Sequence, residues 1–180
     1  MIKETTTVNQ PITENIPEQL TGRPQWVSWC YEEREGKLTK VPYVCETGER
    51  ASTTDLMTWR TFEDVVMSLD TERSATLRVP RYDGIGFVFS SADPFVGIDL
   101  DDCRNPETGG IAAWAQKIIA RVEEGYIEIS PSGTGVHIIV EGSVRDGGRS
   151  RRKVCVGDEV VGEIEMYSRE RFFTITGEVL

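Results

Sequence analysis

Eight residues, Val96-Gly97-Ile98-Asp99-Leu100-Asp101-Asp102-Cys103, have the types and spacing to do chemistry. Successive side chains on a β-strand point to opposite faces, so Val96, Ile98 and Leu100 share an apolar face. Asp99 and Asp101 share the other, roughly 6.5–7 Å apart along the strand. Carboxylates standing side by side repel unless a cation sits between them, and Mg²⁺ and Mn²⁺ take oxygen ligands of this kind. The stretch reads as a metal platform. A strand-end turn facing water would show the same Asp-x-Asp, so residues elsewhere must separate the two readings.

Two downstream segments bear on it. Ser130-Pro131-Ser132-Gly133-Thr134-Gly135-Val136-His137 carries the one histidine of the chain, and Glu163-Ile164-Glu165-Met166-Tyr167 is a second alternating acidic run. If Val96/Ile98/Leu100, Val136/Ile138/Val140 and Ile164/Met166 all face helices, alternation sends Asp99, Asp101, His137, Glu163 and Glu165 to the opposite side of the sheet. Carboxylates gathered with an imidazole suit phosphoryl or nucleotidyl transfer, in which two metal ions align an attacking hydroxyl with an α-phosphorus. The Ser132-Gly133-Thr134-Gly135 turn can offer backbone N–H groups to phosphate oxygens, its glycines allowing close approach. His137 would then hold a triphosphate oxygen. A lone strand histidine is more commonly structural, and its place after a glycine-rich turn is what favours the ligand.

Several elements must position these residues. Trp26 to Tyr31 and Lys37 to Val44 read as the arms of a hairpin. Its Lys37 and Lys40 are either solvated edge-strand lysines or phosphate contacts. Thr58 to Leu69 carries a helical stripe with Thr58 as its cap, and residues 70–83 read as a polar loop. Gly84 to Phe89 is an apolar strand expected to pair antiparallel with the acidic strand after the Ser90–Pro94 turn. Ile111 to Val122 recurs at helix spacing, ends at Gly125 and should cover the oily face of the sheet. Arg145 to Lys153 is glycine-rich and basic; it is either a solvated loop or a clamp on phosphates through Arg149, Arg151, Arg152 and Lys153. Residues 1–22 are polar with no apolar period and read as a flexible lead-in.

Composition bounds the rest. The 180 residues, 38% hydrophobic and 28% charged, suit one soluble globular domain with a sizeable core. A net charge of -10 disfavours indiscriminate binding to phosphate backbones, so a nucleic acid must be met by a local basic patch or by bound cations. Four scattered cysteines and one histidine argue against a structural zinc site and a disulfide framework. With no signal-like start and no long apolar run, a cytoplasmic protein away from membranes is the expectation.

Ile98-Asp99-Leu100-Asp101, Ser132-Gly133-Thr134-Gly135-Val136-His137 and Ile164-Glu165-Met166-Tyr167 resemble, in order, the three motifs of the archaeo-eukaryotic primase superfamily. Lys40-Val41-Pro42, Thr58-Trp59, Gly84 to Phe89 and Arg171-Phe172-Phe173-Thr174-Ile175-Thr176-Gly177 are similar to the bifunctional primase-polymerase domains of phages and plasmids, a likeness running from Trp26 to Gly177. The resemblance implies an α+β fold: an RRM-like, mostly antiparallel sheet with helices on one face and the active site on the other, plus a small N-terminal α/β subdomain. The catalytic domain would span 23–180, divided at 83/84. The resemblance also implies template-directed nucleotide polymerisation with Mg²⁺ or Mn²⁺ in a two-metal site, extending and initiating primers. Its partners would be single-stranded DNA template, primer, nucleoside triphosphates and a helicase in cis or in trans.

Carried over by position, Asp99, Asp101 and Glu165 match the metal ligands and His137 the nucleotide ligand; many members have Asp in the place of Glu165. Ser132, Lys40 and Arg171 match positions near the triphosphate. A nucleic-acid-binding module without turnover and a metal-dependent nuclease are the alternatives that the same residues leave open.

Overall fold

A computed structural model describes residues 10–145 and 148–180. Two antiparallel sheets organise the chain, compatible with an RRM-like core. The first has the order β2-β1-β3-β9 and the second β5-β6-β4-β8-β7.

The hairpin of β1 (Trp26–Arg34) and β2 (Lys37–Tyr43) forms as its alternation predicts. It closes through Glu35 and Gly36, both at positive φ, in the two-residue turn whose twist matches paired strands. Pro42 is tolerated because β2 lies at the sheet edge.

β3 (Gly84–Phe89) and β4 (Phe95–Asp101) do not pair, contrary to the expectation from their sequence order. Both edges of β3 are taken, by β1 and by β9 (Arg171–Ile175). The Asp93 carboxylate accepts the Ser90 and Phe95 N–H groups, each at 2.8 Å, and the turn passes the chain to the second sheet. There β4 is the centre, between β6 (Val136–Glu141) and β8 (Glu159–Tyr167), with β5 (Tyr126–Ile129) and β7 (Arg149–Val156) at the edges.

Among the described residues four short α-helices complete the fold: α1 (Glu18–Thr21), α2 (Phe62–Met67), α3 (Thr71–Leu77) and α4 (Ala113–Ile119). The last covers the oily face of the second sheet, Ala115 packing with Leu100, Val136 and Ile138, as the helix spacing predicts. α2 is shorter than expected and is capped by Thr61, not Thr58. Thr58 instead turns its hydroxyl back to the carbonyls of Ser52 and Asp55, while Arg60 bridges to Trp26 in extended form. α3 occupies the stretch expected as a polar loop; few of its side chains are apolar, but Asp70 caps it at the Glu72 N–H, 2.8 Å away.

Residues 10–22 are docked rather than loose, while residues 1–9 lie outside the described residues. Ile16 and Leu20 are buried, too few to make a visible period. The Ile12 N–H donates to the Thr176 carbonyl at 2.8 Å, and the Trp26 indole to the Leu20 carbonyl at 3.1 Å. Of the expected basic loop, Arg149 to Lys153 belong to strand β7, and Asp146 and Gly147 lie outside the described residues. Among the described residues no helix is long and apolar enough to cross a membrane.

The two sheets meet over Gly97. A Cβ there would lie 2.5 Å from the Phe89 ring and 2.6 Å from Phe173. Gly97→Ala is therefore expected to destabilise the fold by about 2–3 kcal/mol through overpacking. A urea midpoint unchanged from that of the parent would show that the seam yields instead.

Candidate active site

Asp99 lies on β4, one alternation beyond Gly97, where the seam between the sheets opens. Cross-strand register sets a row of side chains across all five strands: Glu128, His137, Asp99, Glu165 and Arg151, from β5, β6, β4, β8 and β7 in turn. Asp101, Glu163 and Lys153 form the next row outward. The acids and the imidazole that alternation assigned to one face do lie on one face, because neighbouring strands pair in register and side chains directly opposite stand about 5 Å apart.

A cleft of about 390 Å³ opens here, between this face and β2 and β9 of the first sheet; Asp99, His137, Lys40, Tyr167, Arg171 and Phe173 are among its lining. The Lys40 Nζ lies 3.4 Å from the Thr174 hydroxyl. Burial pushes its ammonium down, and the carboxylates of Asp99, Asp101 and Glu128 oppose that. Arg171 stacks over the Tyr167 ring at 4.9 Å. Two cationic side chains from the first sheet thus face the acids of the second, an arrangement suited to holding a polyphosphate between them.

His137 is buried, stacked on the Phe173 ring at 4.8 Å. Its Nδ1 is 3.1 Å from Glu128 Oε1 and its Nε2 3.7 Å from Asp99 Oδ1. Burial works against the imidazolium, but Asp99 and Glu128 outweigh it and its pKa is raised. Asp101 is pushed up to about 6 by burial and by the charges of Asp99, Glu165 and Asp102.

Glu165 is not a free carboxylate. Arg151 Nε lies 3.1 Å from it, the Tyr167 hydroxyl donates to it, and an Arg171 nitrogen is 4.0 Å away. Arg151 also donates to Glu163 at 2.6 Å. Along β7, Arg149, Arg151 and Lys153 point to the acidic face and Arg152 to the other, so the basic run is divided between faces.

A hard divalent cation fits the Asp99/Asp101 pair better than it fits Glu165. Asp99 Oδ1 is buried without a hydrogen-bond partner, and a cation would relieve both that oxygen and the repulsion on Asp101. Among the described residues no three acid, histidine or cysteine side chains converge as a ready cage, and Glu165 would have to release Arg151 to join one.

Ser132 and Gly133 line a different cleft, of about 460 Å³, with Trp29 and Thr176. Gly135 supports the turn from behind, where a Cβ would lie 2.9 Å from the Leu100 carbonyl oxygen. The turn predicted to cradle phosphate is therefore not brought into the cleft that holds Asp99 and His137.

Glu128 and Tyr167 are site neighbours that motif reasoning passed over as such, while Arg151, expected as a clamp on phosphates, faces Glu163 and Glu165. Tyr167 shares the parity of Glu163 and Glu165, a signal that was there to be used. Glu128 sits on an alternating run, but only the β5–β6 register puts it opposite His137.

No family model matches the chain. It is 36% identical over 162 residues, 89% of its length, to a DNA primase-polymerase of Nitratiruptor phage NrS-1, and the matched part covers 20% of that protein.

Proposed function

This chain is a primase-polymerase-type domain, and from that premise we propose that it is a nucleotidyl-transferring core that extends, and can initiate, chains on a single-stranded DNA template. One observation carries the proposal: Asp99, His137, Lys40 and Arg171, drawn from two sheets, line a single cleft with Asp101 beside it.

In this reading Asp99 and Asp101 hold divalent cations, joined by Glu165 once Arg151 turns away. Mg²⁺ or Mn²⁺ bound there would offset the charge developing on the attacking 3′-hydroxyl and on the leaving pyrophosphate. Lys40 and Arg171 approach the triphosphate from the first sheet as cations. His137 presents Nε2 to a phosphate oxygen, its ring held flat on Phe173. The Phe173 and Tyr167 rings close the apolar side of the cleft and limit water around the acids. Arg149, Arg152 and Lys153 lie on an edge strand, where a template backbone can be met without crossing the cleft.

Labelled nucleotides incubated with primed or unprimed single-stranded template, in Mg²⁺ or Mn²⁺, test the proposal. Extension of the primed template is expected, with loss of about 10³-fold or more in the Asp99→Ala/Asp101→Ala variant at unchanged circular dichroism. Products on the unprimed template would demonstrate initiation as well. No incorporation with either metal would overturn the catalytic reading in favour of a DNA-binding module. Incorporation that survives the double substitution would overturn the ligand assignment.

A further inference from the structure

Arg151 lies on the edge strand β7 with its side chain more than half exposed, yet its guanidinium ties down two carboxylates of the cleft face. Nε is 2.6 Å from Glu163 Oε1 and 3.1 Å from Glu165 Oε1, sharing one hydrogen between them, and Nη2 donates to Glu163 Oε2. The tie is uneven. Glu163 holds the guanidinium through two bonds, and Glu165 holds it only through a share of one. The Tyr167 hydroxyl takes Glu165 Oε2, so Oε1 is the oxygen that a cation held by Asp99, directly across the strands, would approach.

A divalent cation and a guanidinium repel at that range, so Arg151 has to leave Oε1 as the cation arrives. Its two bonds to Glu163 keep it at the rim. There it stands between Arg149 and Lys153, which alternation puts on the same side of β7. Three cationic side chains at every second residue make a strip about 13 Å from end to end along an open edge. A strip of that length suits successive phosphates of a strand better than the compact charge of one triphosphate, and a guanidinium meets a phosphate with two parallel bonds.

We infer that Arg151 couples two ligands: a divalent cation takes Glu165 from it, and the freed guanidinium, kept at the rim by Glu163, closes on a phosphate of single-stranded DNA. Each ligand then strengthens the binding of the other. The inference rests on the reading of Asp99, Asp101 and Glu165 as the cation site. A salt bridge that only pinned β7 to β8 would give no such coupling. Because Arg151 is exposed, its hold on Glu165 is worth up to about fivefold in an equilibrium constant.

Two titrations of the full chain read the exchange. In the first, Mn²⁺ binding is followed by water-proton relaxation with no DNA present. Arg151→Gln should bind Mn²⁺ about three- to fivefold more tightly than the unsubstituted protein, and in a Glu165→Gln background the same substitution should change nothing. Loss of a positive charge near an acidic site tightens cation binding by itself, but that effect persists without the Glu165 carboxylate, so the double-mutant cycle separates contact from charge. In the second, the anisotropy of a fluorescein-labelled oligo-dT strand gives Kd with and without Mn²⁺ at constant ionic strength. Mn²⁺ competes for the strand's own phosphates in every variant. Measured against Arg151→Gln, the unsubstituted protein should gain about three- to fivefold in DNA affinity from Mn²⁺.

If Arg151→Gln tightens Mn²⁺ binding equally with and without Glu165, or leaves it unchanged, the exchange is overturned. If the cation cycle behaves as expected but Mn²⁺ shifts DNA affinity alike in the two proteins, the guanidinium does not pass to a phosphate and the coupling is overturned. Asp99→Ala/Asp101→Ala tests the premise, since Mn²⁺ binding must then be lost. If that variant binds Mn²⁺ as the unsubstituted protein does, the reading of the cation site falls first and takes the inference with it.

Discussion

Asp101→Asn is expected to raise the Tm at pH 8 by roughly 3–6 °C while cutting nucleotide incorporation by about 10³-fold. The carboxyl stands at about 6 in the fold against an ordinary 3.8, raised first by burial and then by Asp99, Glu165 and Asp102. A raised acid stabilises the fold fully below its unfolded pKa and loses that contribution as pH rises through its folded one. Above pH 6 the ionised Asp101 therefore works against folding. The interval from 3.8 to about 6 corresponds to about 3 kcal/mol at most. Because the group is only partly buried, solvent screening reduces this to roughly 1–2 kcal/mol.

Asparagine keeps the shape and removes the charge. Thermal melts at pH 5 and pH 8 check the sign: the gain should be largest at pH 8 and shrink towards pH 5, where the parent carboxyl is mostly protonated. A Tm at pH 8 equal to or below that of the parent would contradict the repulsion. The same ionisation predicts that divalent-cation binding by the parent, followed by Mn²⁺ relaxation, weakens as pH falls through about 6. Stability gained where activity is lost is what a site built for a cation should show.

The second large effect belongs to Glu128. Glu128→Ala is expected to lower stability by about 3–5 kcal/mol, because it strands the Tyr126 hydroxyl, the Thr176 and Gly177 N–H groups and His137 Nδ1. At this size of chain that is a fall of roughly 10 °C in Tm. Glu128→Gln keeps an acceptor for three of those four donors and should fall by less than half as much. Equal losses in the two variants would show that side-chain volume, not hydrogen bonding, is what Glu128 supplies. The carboxylate ties β5 to the end of β9, so its loss loosens the join between the two sheets at the back of His137.

The acidic face was legible because alternation on a strand is a local property. Val96, Ile98 and Leu100 on one parity and Asp99 and Asp101 on the other need no knowledge of the rest of the chain. His137 between Val136 and Ile138, and Glu165 between Ile164 and Met166, repeat the pattern, and α4 announces itself by Trp114, Ala115 and Ile118 at helical spacing. β7 was hidden because its charges, Arg149 to Lys153, mask any hydrophobic period; it is a strand because its backbone pairs with β8 from Arg149 to Val156, and that register sets Arg151 against two carboxylates. α3 was hidden for the related reason that a short polar helix held by its Asp70 cap has almost no apolar stripe.

By itself the sequence determined which side chains travel together on each strand, since the backbone repeat sets that before any long-range contact forms. Only the tertiary structure decided which strands became neighbours. It took β3 away from β4, set Glu128 behind His137, gave Glu165 to Arg151, brought Lys40 and Arg171 over the acids and left Ser132 in another cleft. Those outcomes rest on contacts between residues far apart in the chain, such as Phe89 and Phe173 closing over Gly97. Register and sheet packing are set by the fit of such surfaces, and no local period of the chain encodes that fit.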